Sequence, residues 1–165
     1  MTFFIGIDPG LKGAIAILTE DAVFRLFAMP TMDVTRSGKD KAEVSASLLY
    51  GQLRGLPSGR RVAALERVGA MPGQGVTSVF SFGRSVGIVE GVLAALEMPV
   101  SIVPPQKWQK AMEVRGGKDG ALLRATELFP EVASLLVGPR GGKLDGFADA
   151  LLIAAYIRQI SGAKK

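Results

Sequence analysis

Ile5-Gly6-Ile7-Asp8-Pro9-Gly10 decides the fold. It closes the run from Thr2 to Asp8, in which Phe3, Ile5 and Ile7 alternate with Phe4, Gly6 and Asp8, the two-residue period of a strand. Pro9-Gly10 then turns the chain. Working outward, Gly13 to Leu18 and Ala22 to Met29 read as two more strands, and short polar connections make the three an antiparallel meander. Thr31 to Lys41 is polar, with Ser37 to Asp40 as its loop tip, and Lys41 to Leu53 carries helical spacing through Val44, Leu48 and Leu49. Arg61 to Glu66 is a compact apolar strand ending on a carboxylate, and Val100 to Val103 is a short one closed by Pro104-Pro105. Helices are predicted over Thr77 to Glu97, Lys118 to Leu128 and Asp145 to Ile160, with one helical turn over Lys107 to Met112. The order is that of an α/β domain with a mixed five-stranded sheet, antiparallel in its first three strands and parallel afterwards, flanked by helices.

Composition narrows the chemistry. The 165 residues include 20 Lys and Arg against 15 Asp and Glu, and no Cys, His or Asn. There is no disulfide framework and no thiolate nucleophile. A Ser-His-Asp triad, a His general base and a typical zinc site are excluded as well. An enzyme built from this chain works with carboxylates, lysines, hydroxyls or a bound ion. The N-terminus lacks a signal-peptide pattern, and no uncharged apolar run reaches the roughly 18–20 residues of a membrane helix, so a cytoplasmic protein without a membrane partner is expected. The net charge of +5 points to a polyanionic partner, nucleic acid first.

Most of the acids sit in polar company; Asp8, Glu66, Asp145 and Asp149 do not. Asp8 and Glu66 end apolar strands, where sites form in sheets of this kind. Asp145 and Asp149 are four apart at the start of an apolar helix, on one face. A carboxylate buried without a partner is costly. Read singly, Asp8 is a turn former, Asp145 a helix cap and Glu66 an ion-pair partner of Arg67 or a Lys. Read together, the four make an oxygen-ligand site for Mg²⁺, with Mn²⁺ as a substitute. Two such ions suit phosphodiester hydrolysis.

Ile5 to Gly10 followed by Gly13, a strand-terminal Glu66, and Asp145-Gly-Phe-Ala-Asp149-Ala-Leu at a helix start resembles the RuvC-like Holliday junction resolvases, in particular the short forms of bacteriophages. Gly73 to Gly75 and Ser81 to Gly83 with Gly87 and Gly91 are similar too, so the resemblance runs from Thr2 to about Ile160. It implies that residues 1–165 are a single RNase H-like nuclease domain. It also implies a homodimer that resolves four-way junctions or other branched DNA by paired nicks, using two Mg²⁺ ions per site. Asp8 would bridge the ions, flanked by Glu66 and by Asp145 and Asp149. One spacing departs from the bacterial pattern: the last two acids are four residues apart instead of three, which makes Asp149 the better match and leaves Asp145 to ligate directly or through water. Alternatives are a catalytically silent protein that binds branched DNA, or a nuclease for other branched DNA or RNA–DNA hybrids. The glycine-lysine runs at Gly116 and Gly141 lack the phosphate-loop pattern, so no nucleotide cofactor is expected.

Lys12, Lys107, Lys110, Arg115, Lys118, Arg140 and Lys143 are the candidate phosphate contacts. Met71 and Gln74, on the loop after Glu66, are candidates for the junction centre by the same resemblance. Trp108 reads as a partly buried core residue or a base-stacking platform, and Phe80 and Phe82 read as core. Gly83, Gly87 and Gly91 form a stripe on the long helix, at about 1 kcal/mol each against Ala. The stripe fits either packing on the chain's own sheet or a dimer interface, and the resemblance favours the interface.

Overall fold

The computed structural model describes residues 1–36, 38–70 and 72–162, apart from the side chains of Arg36 and Lys118. Strands β1 (Thr2–Ile7), β2 (Ala14–Leu18) and β3 (Val23–Ala28) form the expected meander. β6 (Arg60–Glu66) pairs parallel to β1, and β7 (Val100–Val103) parallel to β6. The sheet order is β3-β2-β1-β6-β7, with β1 in the middle. Helix α1 (Ala46–Arg54) precedes β6, and α2 (Val76–Ala95) follows it. After β7 come α3 (Pro105–Ala111), a 3₁₀ turn (Gly117–Asp119), α4 (Gly120–Leu128), a second 3₁₀ stretch (Pro130–Leu136) and α5 (Asp145–Gly162).

Strand alternation splits the core in two. Phe3, Ile5, Ile7, Ile15, Ile17, Ala63 and Leu65 face α1 and α2, where Leu49, Leu53, Val89 and Leu93 complete the layer. Phe4, Ala14, Ala16, Leu18 and Ala64 face α5, with Trp108 and Phe129 beside them. The α5 face is lined by small residues because the helix lies so close. A Cβ on Gly6 would stand 2.2 Å from the Ala150 carbonyl oxygen and 2.3 Å from the Ala154 nitrogen, so only glycine fits there. Ala148 to Ile157 of α5 are buried almost throughout, except Asp149.

Two expectations are corrected. Residues 31–44 are not a loop leading into a helix; β4 (Thr31–Arg36) and β5 (Lys39–Val44) pair antiparallel as a separate two-stranded hairpin. α1 starts only at Ala46, with the Ser45 hydroxyl accepting from the Leu48 N–H at 3.4 Å. Charged side chains on both strands hid the alternation, and Val44-to-Leu48 spacing mimicked a helix. Buried Val44 and an Arg84–Glu43 ion pair of 3.1 Å tie the hairpin to the body. The second correction concerns Phe80, which is 65% exposed and lies outside the core. α2 is long and apolar enough to cross a membrane by length and composition alone, although Ser85, Val89, Val92 and Leu93 pack it on the sheet.

Candidate metal centre and nucleic-acid interface

The pleat brings the acids together. Even-numbered residues of β1 and β6 face α5, and the pairs Gly6–Ala64 and Ile7–Leu65 are in parallel register. One step further along, Asp8 and Glu66 are neighbours on the α5 side of the sheet. The Asp8 Oδ1 accepts from the Gly10 N–H at 3.2 Å, which fixes the carboxylate at the strand's end. α5 begins against the same turn. A Cβ on Gly146 would lie 2.5 Å from the Lys12 carbonyl oxygen and 2.9 Å from Asp8 Oδ2, so glycine between Asp145 and Asp149 lets the helix start at this carboxylate. Asp145 lies within the first turn of α5, exposed, where the helix dipole favours a negative charge. Asp149, one turn on, is half-buried.

The electrostatics identify these acids as one group. Burial raises the pKa of Asp8, against the lowering effect of the Gly10 N–H. Burial also raises Glu66, opposed by the Trp108 hydrogen bond and reinforced by the charge of Asp8. Asp149 is raised to about 7, first by burial and then by repulsion from Glu66, Asp8 and Asp145. Among the described residues, none of the four is ion-paired with a base. Nor do any three described acids approach tightly enough to ligate one ion as they stand. Unpaired like charges repel. The set is hard-oxygen, shares one end of the sheet and, among the described residues, has no ion-paired base, which fits a divalent cation and no softer metal.

Trp108 supplies what the sequence reading did not assign. Its ring is fully buried, and its indole N–H donates to Glu66 Oε1 at 3.1 Å. It is therefore neither partly exposed nor a stacking platform; it orients Glu66. Its placement follows from α3 starting directly after β7, the strand beside β6.

A cleft of about 470 Å³ opens over Asp145 and Asp149 and is lined by Gln109, Arg115, Gly116 and Gly117. Arg115 is thus one predicted base that the structure places beside the acids. Lys118 follows in the turn bordering that cleft. Lys143 pairs with Asp119 at 2.6 Å, linking the chain just before Asp145 to that same turn. Lys107 and Lys110 are exposed on α3, the helix carrying Trp108, and Arg140 is exposed on the loop before α5. Lys12 is exposed on the β1–β2 turn and Gln74 on the loop leading to α2. Met71 lies outside the described residues. Gly83, Gly87 and Gly91 are exposed, and a Cβ on any of them would meet nothing within 4 Å, so packing on the chain's own sheet does not explain them.

One consequence is testable without DNA. Because the folded pKa of Asp149 is raised from 3.8 to about 7, the native chain holds more protons than the unfolded chain between those values. Metal-free stability therefore falls as pH rises through that window and is unpenalised below about pH 4. The shift corresponds to roughly 4 kcal/mol at most, shared among coupled acids. Asp149→Asn is expected to raise the melting temperature in EDTA by roughly 4–8 °C at pH 8 and to leave it unchanged at pH 4. Scanning fluorimetry at the two pH values checks this, and an equal shift at both would contradict it.

The mixed sheet of this order, flanked by helices, has the RuvC/RNase H-like fold. The chain is similar to "T. thermophilus RuvC in complex with Holliday junction substrate", with a TM-score of 0.58 and 15% identity over 94% of both chains. It also aligns with "Thermus thermophilus RuvC structure" at a TM-score of 0.45 and 19% identity, again over 94% of each chain. No protein-family model and no curated protein matches the chain.

Proposed function

We propose that the protein is a Mg²⁺-dependent endonuclease that nicks branched DNA, four-way junctions above all, leaving 5′-phosphate and 3′-hydroxyl ends. The observation that carries this is the convergence of Asp8, Glu66 and Asp149, raised in pKa by burial and, for Glu66 and Asp149, by mutual repulsion, at one sheet end with no basic partner among the described residues. Held there, two divalent ions would supply the chemistry of water activation and leaving-oxygen stabilisation. The chain's own residues do the rest. Asp8, Glu66 and Asp149 would hold the ions, with Asp145 at the cleft mouth ligating directly or through water. Trp108 keeps Glu66 aimed by its indole N–H. Arg115, on the cleft wall, takes the phosphate charge. That a solved protein of this fold is in complex with a Holliday junction supports DNA as the partner. Junction, plain duplex and RNA–DNA hybrid should be compared with Mg²⁺; cutting of the junction alone is expected, and an uncut junction would sink the proposal.

The protein acts as a homodimer in this reading, which suits paired nicks. α2 presents Gly83, Gly87 and Gly91 outward beside Phe80 at 65% and Val76 at 85% exposure. A glycine stripe flanked by apolar residues allows two helices to approach closely. Sedimentation should give a dimer at tens of micromolar and a monomer for Gly87→Arg, whose melting temperature stays close to wild type because the site is open. A monomeric wild type would overturn the assignment.

A further inference from the structure

A second cleft, of about 480 Å³, shares the Gly10–Lys12 turn with the acids but lies on the α2 side of the sheet. Its walls come from three separate elements: the turn, the hairpin strand β5 and the first half of α2. None of its described lining residues is acidic. Lys12 projects from the turn and Lys41 from β5, and among the described residues neither has an ion-pair partner. Opposite them, Thr77, Ser78 and Ser81 present hydroxyls from one face of α2, none bonded by its side chain to another described residue. Two unpaired ammonium groups facing three hydroxyl donors match the oxygens of a phosphodiester. Leu11 and half-buried Phe82 add an apolar surface that suits a sugar or base face.

The turn sets the direction. The Gly10 N–H holds the Asp8 carboxylate on one side, and Gly10, Leu11 and Lys12 form the wall of this cleft on the other. A strand whose scissile phosphate lies at the acids has a short path across the turn into the cleft. We propose that this cleft is a phosphate subsite that seats the sugar–phosphate backbone of a DNA strand flanking the cut, with the β4–β5 hairpin supplying Lys41 as its outer wall. This rests on the nuclease reading above and adds where the strand runs.

The test is the salt dependence of binding to a four-way junction and to a single-stranded oligonucleotide in Ca²⁺, with inorganic phosphate in a separate calorimetric titration. Lys41 is exposed, so Lys41→Ala should melt like wild type. It is expected to lower the slope of log K against log[salt] by about 0.7–0.9, and Lys12→Ala with Lys41→Ala by about 1.5. Ser81→Asp, which sets a charge against the strand, should weaken binding more than about tenfold. Unchanged slopes in the double variant, with wild type binding and cutting the junction, would overturn the subsite and spare the nuclease reading. Wild type that binds no DNA overturns both. Lysine-dependent binding of inorganic phosphate, without any effect on DNA affinity, would make this a small-anion site and overturn the strand assignment.

Discussion

Asp8→Asn is expected to lower junction cleavage about 10³-fold or more while leaving junction affinity in Ca²⁺ equal to wild type or better. The variant keeps the side chain's shape, and its amide oxygen can still accept from the Gly10 N–H, so the β1–β2 turn should survive. What is lost is one negative charge at the position that both Glu66 and Asp149 sense. Divalent ions contribute several kcal/mol to phosphoryl transfer, and about 4 kcal/mol is a thousandfold in rate. Binding should not suffer, because the proposed DNA contacts are lysines, arginines and hydroxyls and do not include Asp8, and removing an acid near a phosphate relieves repulsion. The chain's single tryptophan offers an independent readout. Trp108 donates to Glu66, so ion binding at Glu66 should change its emission in wild type, and Asp8→Asn should need at least about tenfold more metal for the same change. Single-turnover cleavage with a parallel fluorescence titration measures both. Cleavage within tenfold of wild type would show that Asp8 is not part of the metal centre.

As candidates, Asp8, Glu66 and Asp149 were legible in the sequence because each is an acid set among apolar residues, where a charge without a partner is costly to bury; Asp145, four residues before Asp149, was picked out by that spacing and is exposed at the start of α5. Strand parity explains why two of them share a face, since Asp8 and Glu66 both fall on the even side that packs on α5. Residues whose role depends on a neighbour from elsewhere in the chain gave no such signal. Trp108 looks like any core tryptophan until α3 is seen to deliver it to Glu66, 42 residues away. Lys41 sits in a stretch whose charges concealed a hairpin, and its position over α2 is a tertiary fact. The glycines of α2 could be recognised as unusual, yet only the open space around them excluded packing within the chain. Lys143 was a candidate phosphate contact in sequence, but it is paired with Asp119, and a phosphate would have to compete with that carboxylate for it.

Gly6→Ala should be the most damaging single-methyl change in the chain, and Gly51→Ala the reverse. At Gly6 the added carbon would fall 2.2 Å from the Ala150 carbonyl oxygen and 2.3 Å from the Ala154 nitrogen, backbone atoms of a buried helix that no rotamer change can move aside. α5 must shift bodily, disturbing the layer formed by Ala14, Ala16 and Ala64. Overpacking relieved by side chains costs about 1–3 kcal/mol; relief by the backbone should cost about 4 kcal/mol or more, a drop of roughly 8–16 °C in melting temperature. The shift also carries Asp145 and Asp149 away from Asp8, so whatever folded protein remains should bind Mn²⁺ at least about tenfold more weakly. Gly51, within α1, has nothing within 4 Å of the same carbon, and alanine there gains helix propensity of about 0.5–1 kcal/mol. Melting curves of the two variants side by side separate the close approach of β1 and α5 from a general intolerance of alanine. Equal melting temperatures would mean that the sheet and α5 are not locked together by Gly6, and that the placement of Asp149 against Asp8 depends on some other contact.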